Sequence, residues 1–297
     1  MDRRFTPAPM WLCLPLMITS EAISSRDQRR SFAELCTAPM RYVGARTRFW
    51  FQYASQVCTL ISYALWRLTF GYRHMRPVTR AVLIKQVLFT AVDALPFTGL
   101  IAVLLGASVI AEAELHMSGN PDMVGKLLVI VVIRELGPLV AALILLVRSG
   151  TAMVVEMGNM SVGKEIEGLE FAGIDPFEYL VVPRIFGMSV SLVGVALYFL
   201  AFSVGSGVVI SAILAQSTAH PIELVDMMTR QLGMTELYAF TAKTFIPGLM
   251  MAGIVCHEGL NAGPQVTDVP RCATRGTVRA VVGLFVWNAA VSILMYI

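Results

Sequence analysis

The sequence predicts an all-α membrane protein: about five transmembrane helices, preceded by an interfacial amphipathic helix, with a short cytoplasmic helix between the second and third spans. Three observations carry that reading. Hydrophobic residues make up 56% of the 297 and charged residues only 14%, with a mean hydropathy of +0.69, which leaves too little polar surface for a soluble protein of this length. Apolar runs recur near the roughly 20-residue length that a hydrocarbon layer of about 30 Å demands. Basic residues gather in alternate loops, as membrane topology requires. The net charge of +3 is small, so the basic residues argue for that topology and against nucleic-acid binding.

Residues 1–40 combine Arg3 and Arg4, an apolar stretch from Met10 to Ile18 and a polar tail, a pattern shared with signal peptides. Pro15 and the short apolar run make this a poor spanning helix. The preferred reading is an extension outside the fold. Residues 41–93 form a basic and aromatic segment, with Arg46, Arg48, Arg67 and Lys85 among the basic residues and Trp50, Phe51, Tyr53, Tyr63 and Trp66 between them. That mixture favours a helix lying in the cytoplasmic interface, and the apolar Gln56 to Leu68 is short for a span. Residues 94–297 hold the transmembrane domain.

The spans are expected at Ala94 to Ile110 (with Val87 to Val92 leading in), Leu127 to Val147, Leu180 to Leu214, Leu237 to Cys256 and Val278 to Ile297. The third exceeds one crossing and must tilt or project. Glu112, Glu114 and Asp122 follow the first span, whereas Arg148, Lys164, Arg184, Arg271, Arg275 and Arg279 follow the second and fourth. This distribution predicts a cytoplasmic N-terminus and an external C-terminus. Small residues at four-residue spacing, Ser203 with Gly207 and Gly248 with Ala252, are expected to pack helices within one subunit.

Charges inside apolar spans mark functional candidates. Arg134 and Glu135 lie on the second span and Lys243 on the fourth, each on the order of 10 Å from the outer end at about 1.5 Å per residue. Neighbours on a helix point about 100° apart, so Glu135 is expected to pair with Lys243 rather than with Arg134. That pair either pins two helices together or lines a cavity for a polar headgroup. Pro138 removes a backbone hydrogen bond and should kink or open the second span at this depth. Acidic residues are almost missing from the expected spans outside Glu135 and the borderline Asp93, which disfavours a carrier driven by ions.

Beyond the second span, Val162, Ile166, Leu169 and Gly173 repeat at helical spacing, while Lys164, Glu165, Glu167 and Glu170 avoid the stripe. This predicts an amphipathic helix over Val162 to Ala172, capped by Ser161 and stopped by Gly173 and Asp175-Pro176. Catalysis is not indicated. His257-Glu258 is followed by Asn261 where a zinc-protease motif needs histidine, and no phosphate-binding loop occurs. The five cysteines show no paired spacing, and Cys58 and Cys256 read as buried free thiols rather than metal ligands.

The stretch from Val131 to Arg184 resembles the permease subunit of the Mla-type, lipid-asymmetry ABC transporters. The likeness rests on Arg134-Glu135-Leu136-Gly137-Pro138, Arg148-Ser149-Gly150, Glu156-Met157-Gly158, Leu169-Glu170, Gly173-Ile174-Asp175-Pro176 and Val182-Pro183-Arg184. It extends more weakly over residues 80–297. Lys164 stands where the family usually carries an acid. The resemblance implies a homodimeric permease in a bacterial inner membrane, exchanging phospholipid with a periplasmic MCE-domain protein and driven by two cytoplasmic ATPase subunits. It also implies ATPase coupling through Glu156, Val162, Glu165, Ile166, Glu167, Leu169, Glu170 and Asp175, while the intramembrane charges themselves make Arg134, Glu135 and Lys243 the expected substrate-binding residues. No metal or cofactor is implied. The residues alone also admit a non-transporting membrane scaffold or assembly factor, in which the intramembrane charges are purely structural.

Overall fold

The computed structural model describes residues 47–48, 50–67, 77–116, 129–214 and 233–296. The expected extension 1–40, with Cys13 and Cys36, lies outside them, as do Arg46 and the acidic-loop residue Asp122. The chain divides after Tyr53 into two units. In the first, Trp50 and Tyr53 meet edge to face at 6.2 Å. The second, Ala54–Ile297, contains the spans.

No strand occurs among the described residues. Helix α1 includes residues 54–67, α2 is Pro77–Val92 and α3 is Leu95–His116. Helix α4 is continuous through Val129–Leu136, Gly137–Leu145, Leu146–Gly150 and Thr151–Val162, the first and third of these being wide π turns. The short α5 is Glu165–Phe171. Helix α6 opens with a wide turn at Phe177–Val181 and continues as Val182–Leu214; α7 is Met234–Leu260 and α8 is Val269–Tyr296. Among the described residues, five stretches are long and apolar enough to cross a membrane: Val82–Ala113, Ile130–Val162, Phe177–Ile210, Glu236–Leu260 and Val266–Met295. More than half of the residues of the α7 stretch are buried and few of the α8 stretch are, so α7 is the central helix and α8 a peripheral one.

Several boundaries differ from expectation, for identifiable reasons. Helix α4 does not end at Val147 but continues to Val162, burying Met153, Val154 and Met157, because the Arg148 charge is met by Asp93 at 3.0 Å. Helix α8 starts at Val269, nine residues before the expected Val278. Pro270 is tolerated in a first helical turn, whose N–H groups have no intrahelical partner, and Arg275 and Arg279 both pair with Glu258. The amphipathic helix begins at Glu165, not Val162. Lys164 adopts a left-handed conformation (φ 57°) that separates it from α4, and Ser161 donates to the Leu260 carbonyl instead of capping. Its predicted stop holds: Gly173 is left-handed (φ 71°), Ile174 N–H bonds to Leu169 O and Gly173 N–H to Glu170 O, closing the helix end. Cys58 is exposed on α1, not buried; Cys256 and Cys272 are buried.

Among hydrocarbon chains, burying an apolar side chain gives helices little reason to associate, so close packing and polar contacts must hold them. The small residues serve this end within the chain. A Cβ on Gly106 of α3 would strike the Ser203 backbone of α6, one on Gly207 would strike Ile110, and one on Gly248 of α7 would lie 2.6 Å from Ser189 Cα. Around the first contact Ile110, Ala113, Val132 and Ile133 form a core with Leu200 and Val204, joining α3, α4 and α6 at the end opposite α5.

Gly106→Ala should therefore lower stability by about 1–3 kcal/mol through overpacking, whereas Gly205→Ala, with nothing within 4 Å of the new Cβ, should be neutral or stabilising by up to about 1 kcal/mol. Thermal unfolding in detergent measures both. Equal effects would show that backbone approach at Gly106 does not hold α3 to α6.

Candidate functional site

Lys243 of α7 is the most deeply placed charge, with a side chain fully buried. An ammonium has three N–H donors, and three acceptors surround this one: Glu135 Oε1 at 2.7 Å, Ser292 Oγ at 2.7 Å and the Arg134 carbonyl at 3.1 Å. The last acceptor follows from sequence. An α-helix would bond the Arg134 carbonyl to the N–H four residues on, but that residue is Pro138, which has none. The wide turn of Val129–Leu136 ends just before it, and the carbonyl accepts from Lys243. Helix α8 completes the group: Ser292 Oγ donates to Glu135 Oε1 at 2.8 Å and Asn288 Nδ2 to Glu135 Oε2 at 3.2 Å. On the same helix Trp287 Nε1 donates to the Ala242 carbonyl at 3.1 Å, fixing α8 beside Lys243. Glu135 keeps a 32% exposed side chain, so it alone of the ion pair faces outward.

The expected Glu135 to Lys243 pair is thus present, and Arg134 points away from it toward Glu236 at the start of α7, 3.8 Å distant. Asn288, Ser292 and Glu236 are additions to the expected group. Asn288 and Ser292 stand four apart in an otherwise apolar run, a spacing that puts both on one helix face and is the signal that could have found them. Glu236 lies one residue before the expected start of the fourth span, outside the stretch in which a charge stands out.

A second charged group lies at the other end of α7. Glu258 is buried, and Arg275 Nε (2.7 Å) and Arg279 both bond its carboxylate, with Arg275 Nη2 3.3 Å from Cys272 Sγ. The expected scarcity of acids in the spans outside Glu135 and Asp93 is thereby corrected, because the longer helices bring Glu236 and Glu258 inside them.

The residues around α5 separate into two groups. Glu165, Glu167 and Glu170 are exposed, as is Phe171 at 91%, and no residue of α5 is buried. Ile166, Leu169 and Val162 are half-buried against their own chain. The flanks are held instead by polar contacts: Glu156 Oε1 to buried Arg184 Nη2 at 2.9 Å, Tyr63 OH to Asp175 Oδ2 at 3.2 Å and Arg67 to Glu178 at 2.8 Å. Asp175 Oδ1 also accepts the Phe177 N–H and so starts α6. The Tyr63 side chain, with Glu178 adding to it, holds the Arg67 guanidinium above its ordinary pKa.

Five long apolar helices with a polar centre inside the spans and a short exposed helix at one end define a multi-pass helical membrane protein built around intramembrane charge. The sequence model described as Permease MlaE matches residues 83–294. The chain belongs to the MlaE permease family, and so is a membrane permease subunit. A probable ABC transporter permease of Synechocystis is 27% identical over 178 residues, 60% of this chain and 67% of that one. One from Rickettsia typhi is 23% identical over 230 residues, covering 74% and 85%. The intermembrane phospholipid transport system permease protein MlaE of Haemophilus influenzae is 29% identical over 111 residues, covering 37% and 41%.

Breaking a buried pair from one side leaves an uncompensated charge, so Glu135→Gln should cost about 3–5 kcal/mol, while Glu135→Leu and Lys243→Met made together should be nearly neutral. Lys243→Met alone should cost less than Glu135→Gln, because Glu135 retains Asn288, Ser292 and its exposed edge. Thermal unfolding of the three variants tests the ordering. A double variant as unstable as Glu135→Gln would contradict the pairing.

Proposed function

We propose that the chain is the permease of an ATP-driven phospholipid transporter, exchanging lipid between a bacterial inner membrane and a periplasmic MCE-domain carrier. It acts as a homodimer with two cytoplasmic ATPase subunits; its N-terminus is cytoplasmic and its C-terminus periplasmic. The observation that carries this reading is the one-third exposure of Glu135 beside a Lys243 side chain that is fully buried. A pair serving only to clamp helices gains nothing from an outward face. A headgroup, by contrast, needs fixed polar partners at a hydrocarbon depth where water is scarce. Arg134, Glu135 and Lys243 form the lipid-binding centre, with Lys243 holding the Glu135 carboxylate in place and Pro138 keeping that turn of α4 open. The family membership and the name of the Haemophilus relative support lipid as the cargo.

ATPase coupling falls to α5 and its flanks. Phe171 and the exposed carboxylates of Glu165, Glu167 and Glu170 present an apolar anchor beside an acidic face, while Ile166, Leu169 and Val162 set the helix on its own chain. Glu156 and Asp175, through Arg184 and Tyr63, pass a push on α5 to α6 and α1.

The test is ATP-dependent transfer of labelled phospholipid from vesicles to an MCE-domain acceptor, using the assembled complex. The double variant of Glu135→Leu with Lys243→Met should assemble and hydrolyse ATP but transfer no lipid. Glu165→Lys, Glu167→Lys and Glu170→Lys together should release the ATPase from an intact membrane domain. Normal transfer by the double variant would remove lipid binding from this centre.

A further inference from the structure

At the end of the spans where α5 lies, α1 and the start of α6 enclose an open cavity of about 510 Å³, within the roughly 300–1,000 Å³ of small-molecule sites. Ser55, Gln56, Thr59, Leu60 and Tyr63 line it from one face of α1, and Phe177 closes it from α6. The Tyr63 and Phe177 rings stand edge to face at 77°, with centroids 6.4 Å apart, and form two walls of an aromatic corner. Phe177 keeps 43% exposure there.

The hydrogen bonds around this corner decide what it can hold. Thr59 Oγ1 donates to the Ser55 carbonyl at 2.7 Å, so the hydroxyl has lone pairs but no proton left for a ligand. Tyr63 OH donates to Asp175 Oδ2 at 3.2 Å, which places a carboxylate behind the ring. The positive groups nearby are already engaged. Arg67 pairs with Glu178 at 2.8 Å, and the Phe177 N–H at the start of α6 is taken by Asp175 Oδ1 at 3.0 Å. His257 Nε2 lies 3.1 Å from Gln56 Oε1 and fixes that amide from the side of α7. Aromatic faces, a hydroxyl lone pair and a neighbouring carboxylate together attract a cation. An anion would meet the Asp175 charge instead.

We propose that this cavity binds an organic ammonium group, seated against the Tyr63 and Phe177 rings with one N–H on Thr59 Oγ1. A hard metal ion needs about six oxygen ligands, and two ring faces supply none, whereas an ammonium on a carbon stem uses both the rings and the apolar Leu60. The group comes from an ethanolamine lipid headgroup at the adjoining membrane surface or from a free amine, the two having the same chemistry. Its occupant would bridge α1 and α6 beside the Tyr63 to Asp175 contact that already joins them. The site lies apart from the Lys243 centre and does not depend on the transport reading.

The test is fluorine NMR of the full chain with para-fluorophenylalanine in place of Phe177, in nanodiscs of phosphatidylglycerol. Added phosphatidylethanolamine should shift the resonance saturably, whereas phosphatidic acid, which has the phosphate without the amine, should not. In a second arm ethanolamine hydrochloride is titrated against sodium chloride at equal ionic strength. A saturable shift with the lipid alone makes the headgroup the source; one with ethanolamine as well makes the ammonium sufficient by itself. Tyr63→Leu should weaken binding about 2- to 30-fold, the loss of one cation–π contact, and Tyr63→Phe, which keeps the ring, should retain most of it. Thr59→Lys, at an exposed position, should fill the corner with its own ammonium and abolish the response while thermal unfolding stays unchanged. No saturable shift with either amine, or equal shifts with phosphatidic acid or sodium chloride, overturns the site. Undiminished binding by Thr59→Lys or Tyr63→Leu overturns it as well.

Discussion

The structure depends on one ammonium group. Lys243 sits where an unpaired charge is costly, and its three hydrogens are taken by a carboxylate, a hydroxyl and a backbone carbonyl from two other helices. Each of those helices is shaped to supply its part. Pro138 withholds the N–H that would otherwise occupy the Arg134 carbonyl. Ser292 accepts from Lys243 and donates to Glu135, so that one hydroxyl links both members of the pair. Because hydrocarbon gives apolar helices no strong reason to cluster, this knot does for α4, α7 and α8 what close glycine packing does for α3 and α6.

The opposite end of the molecule has a different design. There Glu258 ties α7 to α8 through Arg275 and Arg279, and Glu156 ties α4 to α6 through Arg184. Tyr63 and Arg67 attach α1 to the start of α6. None of the residues of α5 is buried. The short helix is joined to α4 before it and to α6 after it, and Glu165, Glu167, Glu170 and Phe171 stay exposed along it. The two ends are joined by α7, which carries Lys243 near one end and Glu258 near the other.

Much of this was legible in the sequence. Apolar run length located all five spans, and the 100° turn per residue sorted Glu135 from Arg134 and matched it with Lys243. The misses share a cause. Arg148, Arg275 and Arg279 read as loop residues because charge normally ends a span; the partners Asp93 and Glu258 that allow the helix to continue lie far away in sequence. Asn288 and Ser292 carry no charge, so only their four-residue spacing in an apolar run marks them, although they complete the polar centre. Ser161 has the chemistry of a cap, but the left-handed Lys164 moves the helix start beyond its reach. Local pattern determines which segments are helical, and long-range neutralisation decides where they stop.

The central claim is that Pro138 and Lys243 act together through the Arg134 carbonyl. A double-mutant cycle of Pro138→Ala and Lys243→Met, read by thermal unfolding in detergent, measures that coupling directly. Alanine restores an N–H that competes with Lys243 for the carbonyl, so its effect in the parent should differ from its effect in the Lys243→Met background by about 0.5–3 kcal/mol, the range for residues that share a contact. Effects that add within about 0.3–0.5 kcal/mol would contradict the account, leaving the carbonyl contact a coincidence of packing.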